Sequence, residues 1–442
     1  MLYQPLFVRP RRSRLKSSPG DRIPMTPIST DPSSTPKPEP PQSPSEGSPV
    51  KRPHLPFLDG IRALAALEVA FYHLRIFQGS GEYLGRFGRV LTNWMMYGHF
   101  AVGVFIVLSG FCLMLPVAFR AGQLPHPALV FFKRRAHRIL PPYYFALLLS
   151  LAVIGLGLGK PESAFSSALP STLWDSSLPV TGLSLAAHLL LVQNFVGGYM
   201  RINPILWSIA VEWQIYFLFP LLVILFRRIG ALRTMLAATL VSVYGIWVVH
   251  HLTVISPAQH LMPQYLGLFV MGMYGASLTF GSPDGSGLRH RLPWGVLTVL
   301  TVVVIFAARV LLGVQNFMNA DLDYIDVLIG FATCFLLIHL SLTPQSLLRR
   351  ALDFPPLVAL GLFSYSLYLI HLPIMQLFWQ YGLVPHGLNR TPGLLLLIFP
   401  GVPLCVLAAY LFHLVAERPF MNSKAQKSLR LALKDSDLAP EQ

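Results

Sequence analysis

The stretch LDGIRALAALEVAFYHL, residues 58–74, decides how the chain is read. It is an apolar run of membrane-spanning length, interrupted by Asp59, Arg62, Glu68 and His73. An Asp or Arg at the centre of a spanning helix costs roughly 2.5–3.5 kcal/mol on insertion scales. Ionisable groups at such a depth face protein or a water-filled cavity and mark functional sites. Arg62 and His73 stand eleven residues apart. At 3.6 residues per turn that is close to three turns, so they share one helix face, about 16 Å apart along the axis. Asp59 lies one turn before Arg62 on nearly the same side. Such a stripe can touch both ends of one long ligand. The plainer reading has Arg62 snorkelling to the interface beside Asp59, with His73 a satisfied core histidine.

Composition supports the membrane. Of 442 residues, 53% are hydrophobic and only 12% charged, against about a quarter charged in soluble domains. The net charge of +15 does not indicate nucleic acid, because the basic residues cluster in a tail and in short loops, where cytoplasmic flanks of membrane helices hold them. The three cysteines, Cys112, Cys334 and Cys405, each sit inside an apolar run. Their spacing forms neither a disulfide framework nor a zinc site, and they read as core residues. His250 and His251 have no evident third ligand, so no metal site is expected.

Residues 1–54 read as a disordered, cytoplasmic Pro/Ser-rich tail that cannot bury enough apolar surface to order itself. The opening MLYQPLFV carries its charges after a short apolar stretch, which does not make a signal-peptide core. From residue 57 apolar runs recur at 57–77, 97–119, 139–158, 204–226, 232–252, 262–280, 293–313, 325–342, 357–380 and 393–415. A further run at 183–196 is short for a span. If it does not cross, Lys133, Arg134, Arg135, Arg138, Arg227, Arg228, Arg233, Arg289, Arg291, Arg349 and Arg350 all fall on the side of the basic tail. Glu162, Asp175, Asp321 and Asp323 then face outward. The positive-inside rule therefore predicts an all-α polytopic bundle of about ten transmembrane helices, with both termini cytoplasmic and a re-entrant or interfacial helix in the long outer segment. The membrane domain is expected over 55–420 and a basic cytoplasmic tail over 421–442.

Two further runs place ionisable groups near the level of His73. LWSIAVEWQIYFLFP at 206–220 carries Glu212, and SYSLYLIHLP at 364–373 carries His371 in the outer half of the ninth span. A His–Glu pair is a competent general base, the carboxylate orienting the imidazole and stabilising its cation. The plainer alternative is a structural ion pair. Glu68 is provisionally matched with Arg309 in the seventh span.

With GHFAVGVFIVLSGFCL at 98–113 and FFKRRAHRILPPYY at 131–144, these segments resemble the acyltransferase-3 family of integral-membrane O-acyltransferases, in order and over residues 57 to about 420. The resemblance implies ten membrane helices and transfer of an acyl group, commonly acetyl, from a cytoplasmic acyl-CoA to a hydroxyl of a sugar, glycoconjugate or other small acceptor. It also points to Arg62 and His73 as the activity-linked residues of the first helix. The family usually has two adjacent glutamates where this chain has Glu212–Trp213, so Glu212 is expected to act alone. The chain ends about 25 residues after its last expected span and reads as the stand-alone form without a C-terminal hydrolase-like domain.

The resulting expectation is specific. Arg62, with Arg134, Arg135 and Arg138, engages the donor phosphates, since a guanidinium binds phosphate bidentately. His73 removes the acceptor proton and Glu212 orients it. Asp59, Ser109, Tyr368 and His371 are candidates to line the site. Acyl-CoA, with acetyl-CoA the simplest case, is a co-substrate, and no bound cofactor or metal is expected. The expected surroundings are the lipid bilayer, the cytoplasmic membrane in a bacterium, with no nucleic-acid partner. The rival class is a transporter using the same His and Glu as a proton relay.

Overall fold

Residues 55–77, 84–155, 179–196, 200–251, 261–281, 286–319, 322–386 and 390–421 are described by a computed structural model. The tails expected at 1–54 and beyond residue 421, and most of the outer segment at 159–182, lie outside the described residues. Every regular element among the described residues is helical. In chain order they are α1 (Pro56–Phe77), α2 (Gly85–Thr92), α3 (Gly98–Ala118), α4 (Ala128–Gly155), α5 (Gly182–Leu190) and α6 (Trp207–Ile229). There follow α7 (Ala231–His251), α8 (Gln264–Phe280), α9 (Ser286–Arg291), α10 (Trp294–Asn319), α11 (Leu322–Leu342) and α12 (Leu347–Leu352). The last are α13 (Pro355–Leu362), α14 (Ser364–Leu377), α15 (Arg390–Leu396) and α16 (Val402–Phe412).

Seven helices among the described residues are long and apolar enough to cross a membrane, or eight if the bent pair formed by α13 and the helix that follows counts as one span. The protein is thus a polytopic all-helical membrane protein. The expected ten would need two more. One is α1, which carries Asp59, Arg62, Glu68 and Arg75. The other is α8, only 17 residues long. The chain over 183–196 yields the nine-residue α5, too short to cross at about 1.5 Å per residue. A reciprocal capping box between Thr181 and Ser184 starts it, satisfying two backbone donors that water would otherwise have to reach.

The centre of the bundle is the crossing of α3 and α8. A Cβ on Gly110 would collide with the Phe269 carbonyl, and one on Gly272 with the Val107 carbonyl. Lipid is as apolar as the side chains, so close backbone approach at small residues supplies the packing that a hydrophobic driving force cannot. Gly361 of α13 meets the backbone of Asp59 in the same way, drawing α13 onto the start of α1. The chain then turns by 72° before the next helix. At the periphery α10 presents Val299, Phe306 and Leu311 outward, the last 85% exposed, as expected of a helix whose solvent is hydrocarbon.

Candidate active site

On α1, Asp59 and Arg62 pair one turn apart. Arg62 Nη1 donates to Asp59 Oδ1 at 2.6 Å, and its Nη2 lies 3.1 Å from Cys112 Sγ on α3. Beside this pair opens a cavity of about 460 Å³. Asp59 and Arg62 line it from α1, Ser109 and Cys112 from α3, and Arg135 and Arg138 from α4. Glu212 and Tyr216 from α6, Tyr365 and Tyr368 from α14, and Glu417 just after α16 add to its polar wall. Arg135 and Arg138 are three residues apart and share a helix face. Arg134, expected beside them, is exposed and does not line the cavity. One residue along an α-helix rotates a side chain by about 100°, enough to carry Arg134 off the cavity face. The Nε of Arg135 is buried without a hydrogen-bond partner.

Glu212 is not where the sequence reading puts it. Its Oε1 accepts a short hydrogen bond from the Tyr216 hydroxyl, one turn along α6, and no Glu212–His73 bond forms. Tyr216 has a single proton and gives it to Glu212. In its bond with Ser109 at 2.8 Å Tyr216 must therefore accept, and Ser109 donates. The chain Ser109→Tyr216→Glu212 leaves the Ser109 lone pairs available to the cavity. At the far wall Tyr368 donates to the Ile205 carbonyl at 3.2 Å and meets Ser208 Oγ at 2.6 Å.

His73 and His371 do come together. His371 Nε2 lies 3.1 Å from His73 Nδ1, with ring centroids 5.0 Å apart. His371 is fully buried, whereas His73 is only partly covered. Neither lines the cavity. Tyr368, which lines the cavity, packs its ring against that of His371 at 6.1 Å between centroids. The arginine end and the histidine end are thus joined by one residue of α14.

Among the lining residues that the sequence reading missed are Tyr216, Cys112 and Glu417. Tyr216 lies one turn beyond Glu212, a spacing that pairs helix neighbours. Cys112, taken there as core, follows Ser109 by three residues and is half-buried; Cys334 and Cys405 are buried as expected. Glu417 ends the last apolar run. Its Oε2 accepts from Ser366 at 2.6 Å and meets His413 Nδ1 at 2.8 Å, all three being buried. The match of Glu68 to Arg309 also fails. Arg309 bonds the Tyr97 hydroxyl, and Glu68 Oε1 is buried without a partner.

The profile of a family described as an acyltransferase domain, type 3, matches residues 55–412, which contain every lining residue named above except Glu417. The chain belongs to the acyltransferase-3 family. Among its relatives, the O-acetyltransferase OatA of Staphylococcus aureus is 26% identical over 337 residues, 73% of this chain and 51% of the relative. The putative peptidoglycan O-acetyltransferase YrhL of Bacillus subtilis is 25% identical over 377 residues, 83% of this chain and 55% of the relative. The acyltransferase MdmB of Streptomyces mycarofaciens is 30% identical over 186 residues, 40% of this chain and 42% of the relative. The chain therefore spans about half the length of these acyltransferase-3 relatives. No solved structure matches it.

Proposed function

We propose that the protein is a membrane O-acyltransferase that moves an acyl group, acetyl in the simplest case, from acyl-CoA to a hydroxyl of a sugar-type acceptor. The observation that carries this reading is the cavity, lined by Arg62, Arg135 and Arg138 and bounded by Tyr368, whose ring packs against His371 beside His73. The names of OatA and YrhL supply the O-acetyl group, and YrhL's supplies a peptidoglycan acceptor as the case to try first. With both termini cytoplasmic, the cavity wall formed by Leu55 and Met421 lies toward the cytoplasm and His73 toward the outer side.

Arg135 and Arg138, with Arg62, hold the donor's phosphates at that wall; Arg134 stands outside this group. Asp59, Glu212 and Glu417 match the three arginines in number, so the phosphates bind chiefly beside Arg135 and Arg138, Arg62 being paired with Asp59. The uncharged arm of the donor extends along Ser109, whose free lone pairs accept from its amide N–H groups. Glu212 holds Tyr216 and Ser109 in that polarity and does not orient His73. His73 takes the proton of the acceptor hydroxyl. The oxygen attacks the thioester carbonyl, an ester C–O bond forms, the C–S bond breaks, and the thiolate leaves with a proton.

The test is thiol release from acetyl-CoA by purified protein, run with simple sugars and soluble peptidoglycan fragments as acceptors. Acceptor-stimulated release, with the acetyl group recovered on the acceptor, is the expected result. Accumulation of a solute in proteoliposomes without thioester consumption would overturn it in favour of a transporter.

A further inference from the structure

The two histidines carry more information than their proximity. His371 Nδ1 lies 3.1 Å from the Leu367 carbonyl and 2.8 Å from the Tyr368 carbonyl. Carbonyl oxygens only accept, so this nitrogen holds the proton. A neutral imidazole has one N–H, which leaves the lone pair of His371 on Nε2. That lone pair faces His73 Nδ1 at 3.1 Å, and the Val69 carbonyl faces the same nitrogen at 2.9 Å. With two acceptors before it, His73 Nδ1 must be the protonated nitrogen. The lone pair of His73 then falls on Nε2, directed away from His371.

We propose that His371 is the positioning residue of His73, fixing its tautomer so that Nε2 is the atom presented to the acceptor hydroxyl. The inference rests on His73 acting as the base. It replaces the carboxylate expected in this role, since Glu212 is engaged by Tyr216. The ring of His371 is itself held. It is fully buried, its Nδ1 is tied to its own helix, and Cys405 Sγ donates to its carbonyl at 3.7 Å. In the reaction the acceptor proton adds to His73 Nε2 and later leaves with the thiolate. The His371 proton stays on Nδ1 throughout. Its Nε2 lone pair and the Val69 carbonyl stabilise the transient imidazolium of His73, as a second group bonded to a catalytic histidine does elsewhere. Because the pair is neutral at rest, positive charge appears only together with the negative charge of the reacting thioester.

Two measurements test this, one independent of turnover. Solid-state ¹⁵N NMR of histidine-labelled protein in bilayers, with His73 assigned by its loss in His73→Gln and His371 by its loss in His371→Gln, reads the tautomers directly. The expected result is protonated Nδ1 and bare Nε2 at both residues. A bare Nδ1 on His73, or a protonated Nε2 on His371, overturns the proposal. In thiol release from acetyl-CoA with an N-acetylglucosamine trisaccharide as acceptor, His371→Leu is expected to lower kcat about 100-fold, with KM for acetyl-CoA within about twofold. His371→Gln, whose side-chain oxygen can accept near the former Nε2, is expected to recover at least about a tenth of the wild-type rate. Wild-type kcat in His371→Leu, or a Gln variant no better than Leu, also overturns the proposal. His73→Ala separates the two levels. If it releases thiol like wild type, the base reading falls. If it is silent while His371→Leu is fully active, only the positioning role falls.

Discussion

The guanidinium of Arg62 is divided between Asp59 and Cys112, one nitrogen on each. A cation, its counter-charge and a thiol thus share one corner of the cavity, on two helices fifty residues apart in sequence. Arg62→Ala is expected to raise KM for acetyl-CoA by about one to two orders of magnitude, the loss of a charge-assisted contact or two. Arg62→Lys, a point charge without the fork, should recover only part of it. Steady-state kinetics at saturating acceptor would show this as a KM effect, and an unchanged KM would remove Arg62 from the donor site.

Cys112 gives a chemical handle on the same corner. It is the one cysteine of the three that is not buried. N-ethylmaleimide should therefore inactivate the protein, acetyl-CoA should slow the inactivation, and Cys112→Ser should resist it while keeping activity. Mass spectrometry of the labelled peptides checks the position. Equal labelling of Cys334 or Cys405 in the folded protein would contradict their burial.

The arginines of α4 separate by face. Arg135→Gln and Arg138→Gln should each raise KM for acetyl-CoA by about tenfold, the equivalent of about 1.4 kcal/mol. Arg134→Gln should lie within twofold of wild type. An equal loss in all three would mean that their contribution is a general surface potential and that the cavity wall is not selective among them.

The Ser109–Tyr216–Glu212 chain predicts an asymmetry between two conservative changes. Tyr216→Phe leaves a partly buried carboxylate oxygen without its donor and should destabilise the protein by about 1–3 kcal/mol. Ser109→Ala removes only a donor to Tyr216 and should cost no more than about 1 kcal/mol. Thermal unfolding in detergent, scored as Tm, would rank them. The opposite order would reverse the proton assignment along the chain.

At the bundle centre, Gly110→Ala should lower Tm strongly, because a methyl there meets the Phe269 carbonyl of a backbone that cannot rotate away. Overpacking of a close-packed core costs about 1–3 kcal/mol. Gly182→Ala, at a helix start with open space around it, should leave Tm unchanged.

Much of this arrangement could be read from the chain. The expected runs fall on helices, because a bilayer admits only helices or closed barrels and long apolar runs have few other uses. The pairing of Asp59 with Arg62 followed from helical geometry alone. The same geometry could have separated Arg134 from Arg135 and Arg138, and could have attached Tyr216 to Glu212. The Glu212–His73 pairing failed for a different reason. Hydropathy gives depth along the bilayer normal but not rotation about the helix axis, so two groups at one level need not face each other. Glu417, Ser366 and His413 depend on how the last helices fold back on α14, a tertiary fact with no local signature.

The buried plug made by Tyr368 and His371 has a consequence for the cell as a whole. Tyr368 is 5% exposed and His371 fully buried, between a polar cavity on one side and the partly covered His73 on the other. A passage through the bilayer that conducted ions or water would dissipate the electrochemical gradient that powers the cell. Two packed rings stand between the cavity and His73, Tyr368 against His371 at 6.1 Å between centroids and His371 against His73 at 5.0 Å, so side chain fills the way between them. Replacing either ring by a small side chain would therefore threaten the membrane's energisation as well as turnover.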